Sequence, residues 1–215
     1  MEWRVSRTDD FEVTGDGAAA AWDTTEWQTL TRVLSGSSGY STRVKALYSA
    51  DGIYFLFDCE DQRLTCTLTE DHGDLFTEDV AEVFLWPDDS TPLYFEYEVS
   101  PLGLELPLLV ANRDGEFHGW LPWRYWDERK VRHATATRGG PKASRASVSG
   151  WSAEMFIPFA LLRGLGNTPP RAGARWRANA YRIDYDEAPA SLWSWSPHIV
   201  GNFHDYRHFG TLVFE

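Results

Sequence analysis

The chain has 215 residues and a formal net charge of −12, with 43% hydrophobic and 24% charged residues. The hydrophobic content suffices for a substantial core, and the acidic balance argues against a nucleic-acid partner, since such binders carry basic patches. No stretch approaches the roughly 18 apolar residues of a membrane span, and the N terminus lacks an export signal. We expect a soluble protein. Its compartment is left open because a processed start would look the same, and its oligomeric state is left open as well.

Six segments show the apolar and polar alternation that is typical of β-strands. They are Thr42–Ser49, Ile53–Glu60, Asp79–Trp86, Leu93–Ser100, Trp151–Pro158 and Arg175–Asp184. Helical periodicity is scarce, and Phe159–Arg163 is predicted to be a short helical turn. The sequence therefore predicts an all-β chain, a two-sheet antiparallel β-sandwich of the jelly-roll or immunoglobulin-like kind. We expect one domain over residues 1–215.

Turn residues and strand faces refine this prediction. Ala50–Gly52 predicts a tight hairpin in which Gly52 supplies a positive φ. In Leu93–Ser100, one face is apolar and the other carries Glu96 and Glu98, so we expect that side to be solvated. The segments Asn112–Arg129 and Arg138–Ser149 are predicted to be loops.

The two cysteines, Cys59 and Cys66, are too few for a disulfide framework. Buried thiols are the favoured prediction, with a single bridge as the alternative in an exported protein. Three histidines near the C terminus lack metal-ligand spacing and are predicted to form tertiary hydrogen bonds, namely His198, His204 and His208. Acidic residues in a hairpin-sized loop offer oxygen ligands for calcium without EF-hand order: Asp71, Asp74, Glu78 and Asp79.

Tryptophan is frequent, with 11 residues in the chain. Trp193 and Trp195 are two apart and stand among polar residues, which predicts that at least one ring is exposed. A sugar presents a flat patch of C–H bonds rimmed by hydroxyls, so exposed rings beside hydrogen-bonding groups predict a carbohydrate site. Packing against the protein is the favoured prediction for three further tryptophans, with ligand contact as the alternative: Trp120, Trp123 and Trp126.

An enzyme is the alternative from a different class. Glycosidases need two carboxyl groups that flank one bond, and the candidates on strands are Glu82, Glu96, Glu98 and Glu154. A solvated strand face explains these acidic residues at least as well. Because no nucleophile elbow, Walker loop or Rossmann fingerprint occurs, we predict that the chain is not itself a catalyst.

Five ordered segments resemble carbohydrate-binding module family 9 and its DOMON-like relatives. They are Asp79–Leu85, Tyr94–Gly103, Gly150–Pro158, Trp176–Arg182 and Phe203–Phe214. The order and spacing hold from about Trp22 to the C terminus. The resemblance implies an antiparallel sandwich that binds a mono- or oligosaccharide or a polysaccharide end, in a role that accompanies glycoside hydrolases. No cofactor is required, and calcium ions would support the structure.

The tryptophan pattern and the resemblance together give a set of candidate ligand-binding residues. These are Trp195, Phe76, Trp193, Asp61, Glu82, Glu96, Tyr181 and Arg182. By position, Trp195 and Phe76 match the two rings that clamp a terminal sugar, and Asp61, Glu82 and Tyr181 match positions that hydrogen-bond it. Glu96 stands where an arginine is expected. That change replaces a group of five donors by one that only accepts, which implies a different ligand or orientation.

The DOMON-like relatives add a third alternative, haem binding. Met155 and a histidine would then be the axial ligands. Met155 lies in an apolar strand, however, and core filling is the simpler interpretation.

Overall fold

The computed structural model describes residues 1–34, 39–197 and 202–215. Within these ranges the chain forms fourteen strands, one short α-helix and five 3-10 helices. The strands are β1 Glu2–Arg7, β2 Gln28–Thr29, β3 Thr31–Leu34, β4 Thr42–Tyr48, β5 Gly52–Cys59, β6 Val80–Trp86, β7 Leu93–Val99, β8 Glu105–Arg113, β9 Glu116–Pro122, β10 Arg132–Arg138, β11 Gly150–Pro158, β12 Arg175–Asp184, β13 Ser191–Ser194 and β14 Gly210–Phe214. The helices are α1 Phe159–Leu162 and the 3-10 segments Ala20–Thr24, Leu75–Thr77, Asp127–Arg129, Arg163–Leu165 and Tyr206–His208.

The strands form two layers that share β1. The first layer, sheet A, has the order β1-β14-β12-β6-β7-β8-β9, and the second, sheet B, has the order β10-β11-β5-β4-β1. The short strand β13 adds to sheet A through β12, and β2 adds to sheet B through β4. The predicted all-β sandwich is confirmed.

The prediction that the pairing is purely antiparallel is wrong at one place. Strand β1 pairs in parallel with β14 through Glu2–Val5, and then with β4 through Ser6 and Arg7. Strands that pair in parallel are distant in sequence and are not joined by a tight turn, so the local sequence does not predict this pairing. The sheet system is therefore mixed.

All six predicted strands are confirmed to within one residue at each end, and the short helical turn at Phe159 is confirmed as α1. The prediction that Asn112–Arg129 is a loop is wrong, because β9 lies within it and pairs with β8. The predicted loop Arg138–Ser149 is confirmed except at two residues: Arg138 is the last residue of β10, and Ser147 forms an isolated bridge. No helix in the described ranges is long and apolar enough to cross a membrane.

The β4–β5 hairpin forms as predicted, but for a different reason at Gly52. This residue lies outside the left-handed region. A Cβ at Gly52 would stand 2.5 Å from the Phe156 ring and 2.6 Å from the Ile157 carbonyl oxygen. Glycine is needed here because β11 approaches closely.

The main core lies between the two layers and takes alternate residues from each. Sheet A contributes side chains such as Val83 and Tyr97, and sheet B contributes Phe57 and Met155, all of them 0% exposed. Burying a side chain of this size stabilises the fold by about 1.5–3 kcal/mol. The interpretation of Met155 as core filling is confirmed.

Cys59 and Cys66 are free and buried, which confirms the favoured prediction for the cysteines. Burial raises the pKa of the Cys59 thiol to about 12. Both thiols therefore behave as small apolar side chains.

The outer face of sheet A carries a second cluster of buried residues, and here the sequence-based prediction is wrong. Glu96 and Glu98 were expected on a solvated side of β7, yet they are 3% and 0% exposed. The C-terminal segment folds over this face, where Phe209 packs on Tyr94 at 5.4 Å between ring centroids. The segment that covers this face is distant in sequence, so the apolar and polar alternation of β7 does not predict it.

Candidate functional site

A pocket of about 330 Å³ opens on the outer face of sheet A. Its described lining residues are Phe76, Glu82, Phe84, Glu96, Glu98, Leu108, Trp120, Ile183, Leu192, Asn202, Phe203 and His204. Small-molecule sites usually measure roughly 300–1,000 Å³, so this pocket has the size for a single sugar ring.

Three glutamates meet in this pocket because of strand alternation and register. Glu82 on β6 lies opposite Glu98 on β7, and Phe84 lies opposite Glu96. Side chains two apart on a strand share a face, and directly opposed residues have Cβ atoms about 5 Å apart. The two strands therefore bring three carboxyl groups to one side of the sheet.

These carboxyl groups are buried and lack partners. Glu82, Glu96 and Glu98 are 2%, 3% and 0% exposed. No N–H or O–H donor in the described chain reaches Glu82 Oε1, Glu96 Oε2 or either oxygen of Glu98. An unpartnered buried polar group costs about 1–3 kcal/mol, so the arrangement destabilises the free protein unless a ligand supplies donors.

Burial also changes the protonation of the three groups. It raises the pKa of Glu96 to about 8, and it raises the pKa values of Glu82 and Glu98 well above their usual range. Repulsion from neighbouring carboxylates adds to the effect at Glu82 and Glu98. Carboxyl groups this close titrate as a set rather than one by one.

Aromatic rings form the wall of the pocket above the carboxyl groups. Phe76 and Trp120 stand edge to face, with ring centroids 5.8 Å apart and an interplanar angle of 78°. Trp120 is 39% exposed. The Tyr185 hydroxyl donates to the Phe76 carbonyl oxygen at 2.8 Å and holds that segment in place. The pocket thus joins ring surfaces to buried hydrogen-bond acceptors.

His204 completes the pocket on the C-terminal side. Its ring stacks on Phe117 at 4.3 Å, and Nδ1 lies 2.7 Å from the Tyr94 hydroxyl. Burial lowers the pKa of His204 to about 4, so the ring is neutral at neutral pH. The predicted tertiary hydrogen bonding is confirmed for this histidine. His208 lies 3.6 Å from Asp205, and His198 lies outside the described residues.

Of the eight ligand-binding residues expected from the sequence, the structure brings Phe76, Glu82 and Glu96 together in this pocket. The other five lie elsewhere. The expectation that Trp193 or Trp195 is exposed is wrong, since the two rings are 2% and 1% exposed. Their polar neighbours are buried too.

Asn179 explains why polar neighbours failed to indicate solvent. Its side chain donates to Ser194 Oγ at 3.0 Å and accepts from the Ser196 backbone N–H at 2.9 Å. The serines between and beside the tryptophans are therefore satisfied inside the protein. The Trp195 ring instead packs on Trp3, with centroids 5.2 Å apart.

Asp61 and Arg182 belong to a buried ion-pair network apart from the pocket. Arg182 is 0% exposed, donates to Asp61 at 3.2 Å and to Asp184, and stands 4.9 Å from the Trp193 ring. Burial raises the pKa of Asp61 to about 7. Carboxylate oxygens of Asp61, Asp184 and Asp186 lie within 4.8 Å of one another, which a metal could use. Arg182 already offsets their charge, so we interpret this network as structural.

Tyr181 lies beneath the pocket rather than in it. Its ring stacks on Phe203 at 4.0 Å, and its hydroxyl donates to the Phe203 carbonyl oxygen at 3.0 Å. The hydroxyl is thus already used by the protein. In the structure Tyr181 supports a lining residue and makes no approach to the pocket itself.

The structure does not bring the calcium candidates together as a metal group among the described residues. Asp71 and Asp74 are exposed. Glu78 is buried, and its carboxylate accepts from the backbone N–H groups of Thr67 and Leu68 at 2.7 and 3.0 Å. Bound calcium stays a prediction.

Glu154 was a candidate for a catalytic carboxyl pair with Glu82 or Glu96. It lies on β11 in sheet B and accepts from the Gly15 backbone and the Trp22 indole, both at 2.8 Å. The two layers separate it from the pocket. Geometry therefore excludes that pair.

Sequence reasoning missed Trp120 as a lining residue. The missed signal is Asp114-Gly115, where both residues have positive φ, 56° and 86°, and turn β8 into β9. This dipeptide between apolar runs is a strong hairpin signal. The hairpin carries Trp120 across to Phe76.

The model of the family described as carbohydrate family 9 binding domain-like matches residues 13–215. No curated protein shows significant sequence similarity to the chain. Among solved structures, a Bacteroides uniformis protein with carbohydrate binding as its suggested function is similar over 100% of this chain and 99% of its own, at 18% identity and a TM-score of 0.78.

Two structures of a family 9 carbohydrate-binding module from Caldicellulosiruptor kristjanssonii are also similar. One is a complex with glucose, at 14% identity and a TM-score of 0.70, covering 100% of this chain and 96% of that one. The other is a complex with cellotriose, at 14% identity and a TM-score of 0.69, covering 100% and 94%. At these identities the likeness establishes the sandwich fold.

Proposed function

Because the chain belongs to the carbohydrate family 9 binding domain-like family, we propose that it is a non-catalytic carbohydrate-binding protein that takes a sugar into the pocket on sheet A. The relatives solved with glucose and cellotriose support a mono- or short oligosaccharide as the ligand. A role in polysaccharide recognition beside glycoside hydrolases follows from the same proposal.

The observation that carries the proposal is the pairing of ring surfaces with unpartnered acceptors. Phe76 and Trp120 offer faces on which the C–H patch of a sugar ring packs. The unpartnered oxygens of Glu82, Glu96 and Glu98 accept from sugar donors. A single sugar would therefore pack on the aromatic rings and donate hydrogen bonds to the carboxyl groups.

Calorimetric titration with a panel of mono- and oligosaccharides tests this function. We expect saturable binding of at least one sugar, with dissociation constants from micromolar to millimolar. If no member of the panel binds at millimolar concentration, the proposed function is wrong.

Trp120→Ala tests the location. We expect it to weaken sugar binding about tenfold, because the variant loses the apolar area of one stacked ring and a further aromatic contact of about 0.5–1.5 kcal/mol. Trp126→Ala is the matched control, since Trp126 is 66% exposed and does not line the pocket. Equal losses in the two variants, or no loss in Trp120→Ala, would place the sugar elsewhere.

A further inference from the structure

In the part of the chain that the structure describes, the ionisable groups of the pocket are acidic, apart from one neutral histidine. The described lining of the pocket holds three glutamates and neither lysine nor arginine. His204 stands 3.9 Å from Glu96 Oε2, too far for a hydrogen bond, and its lowered pKa leaves it neutral. Among the residues that the structure describes, no lysine or arginine lines the pocket to balance these carboxyl groups.

The unpartnered oxygen atoms indicate which chemical group a ligand should present to the pocket. Four buried oxygens on Glu82, Glu96 and Glu98 are acceptors without a donor in the described chain. A neutral hydroxyl supplies one donor, whereas a protonated amine supplies three donors and a positive charge. An ammonium group can therefore pair with up to three of these four oxygens, and its charge is opposite to that of a carboxylate.

A metal ion fits less well than an amine. Among the described residues, the carboxylates that converge within 4.8 Å are Asp61, Asp184 and Asp186, and the pocket glutamates are not part of such a group. The pocket wall is also aromatic, with Phe76, Trp120 and Phe84 in its lining. Ring faces attract ammonium groups, and charge-assisted hydrogen bonds to carboxylates are the stronger kind.

We propose that the pocket selects an amino sugar, with the protonated amine of the ligand bound by Glu96 and Glu98 and the sugar ring packed against Phe76 and Trp120. This inference rests on the proposed carbohydrate-binding function and narrows its ligand to a cationic hexosamine. Raised pKa values at the three carboxyl groups support it, since a cation would return them to the charged form and release protons on binding.

Titration of the whole chain with glucosamine, N-acetylglucosamine and glucose at about pH 6.5 tests the inference, since most amines of this kind are protonated there. Sodium chloride matches the ionic strength of the glucosamine salt. We expect glucosamine to bind about tenfold or more tightly than either neutral sugar. N-acetylglucosamine keeps the ring and removes the charge.

Two variants locate the amine. Glu98→Gln and Glu96→Gln keep the side-chain shape, and we expect each to reduce the preference for glucosamine about tenfold. Glu70→Gln is the matched control, because Glu70 is exposed and outside the pocket. Circular dichroism confirms that each variant is folded before titration.

The outcomes separate the two proposals. If neutral sugars bind as tightly as glucosamine, the amino-sugar inference is overturned and the carbohydrate function stands. If glucosamine is preferred but the preference survives in both variants, the cation binds elsewhere and the inference is again overturned. If none of the three binds but another sugar of the panel does, the inference is overturned and the carbohydrate function stands; if no sugar of the panel binds, both fail.

Discussion

Glu154 and Glu98 are buried glutamates on opposite outer faces of the sandwich, and their surroundings differ sharply. Each is 0% exposed. Glu154 on sheet B accepts four hydrogen bonds, from Thr14 N–H and Oγ1, Gly15 N–H and Trp22 Nε1, at 2.8–3.1 Å. Neither oxygen of Glu98 on sheet A receives a donor from the described chain.

The difference lies in what covers each face. Residues of the N-terminal segment, among them Phe11 and Trp22, pack on Tyr54 and close the face of sheet B. On sheet A the cover is incomplete, and a pocket remains above the glutamates. The same residue type thus acts as an anchor where the chain supplies donors, and as a candidate ligand group where it does not.

The strongest test of this comparison is Glu154→Ala. It removes the acceptor of four donors and leaves the buried Trp22 indole N–H and Gly15 N–H unpaired. We expect the free energy of unfolding to fall by roughly 3 kcal/mol, measured by urea denaturation. Glu98→Ala would delete a carboxyl that no donor satisfies, so a loss as large as that of Glu154→Ala would contradict the comparison.

Glu96 gives a second test through pH. Burial raises its pKa from the ordinary value of 4.5 to about 8, so in this range the folded protein keeps a proton that the unfolded chain releases. Stability should therefore fall as pH rises toward about 8. His204, whose pKa burial lowers from 6.5 to about 4, has the opposite effect below pH 6.5. Between about pH 6.5 and 8 His204 no longer contributes, and His133, whose pKa is raised, contributes equally to proteins that differ only at Glu96.

Glu96→Gln has no such proton to lose. We expect its unfolding free energy to decline less between these pH values than that of the unsubstituted protein, by on the order of 2 kcal/mol. Glu82 and Glu98 remain and keep part of the decline. Parallel stability curves for the two proteins would show that Glu96 is not a raised-pKa group.

The contrast between Glu154 and Glu98 also shows which features could be predicted from the sequence and which could not. Strand alternation located six central strands, because each strand carries its own period of two. It could not reveal that a C-terminal segment covers Glu96 and Glu98, or that Asn179 satisfies the serines beside Trp195. These are long-range contacts. The resemblance to a known family suggested Phe76, Glu82 and Glu96 as candidate site residues. Trp120 could have been added only by predicting the hairpin at Asp114-Gly115.

The smallest expected effect concerns the indole that caps Glu154. Trp22→Phe keeps an aromatic ring on the face of sheet B but removes the Nε1–H donor to Glu154 Oε1. We expect a loss of about 1–2 kcal/mol in unfolding free energy, from one hydrogen bond to a charged group and some lost packing.

A double-mutant cycle separates the two contributions of Trp22. In the Glu154→Ala background the hydrogen bond is already absent, so Trp22→Phe should cost about 1 kcal/mol less than in the unsubstituted chain. Hydrogen exchange at the Gly15 amide gives an independent readout, because that N–H is bonded to the same carboxylate. If the two substitutions reduce the unfolding free energy additively and the exchange rate of the Gly15 amide is unchanged, the hydrogen bonds to Glu154 contribute little. Packing of the N-terminal segment would then be what closes the face of sheet B. Glu154 and Glu98 would differ only in how completely the chain covers them.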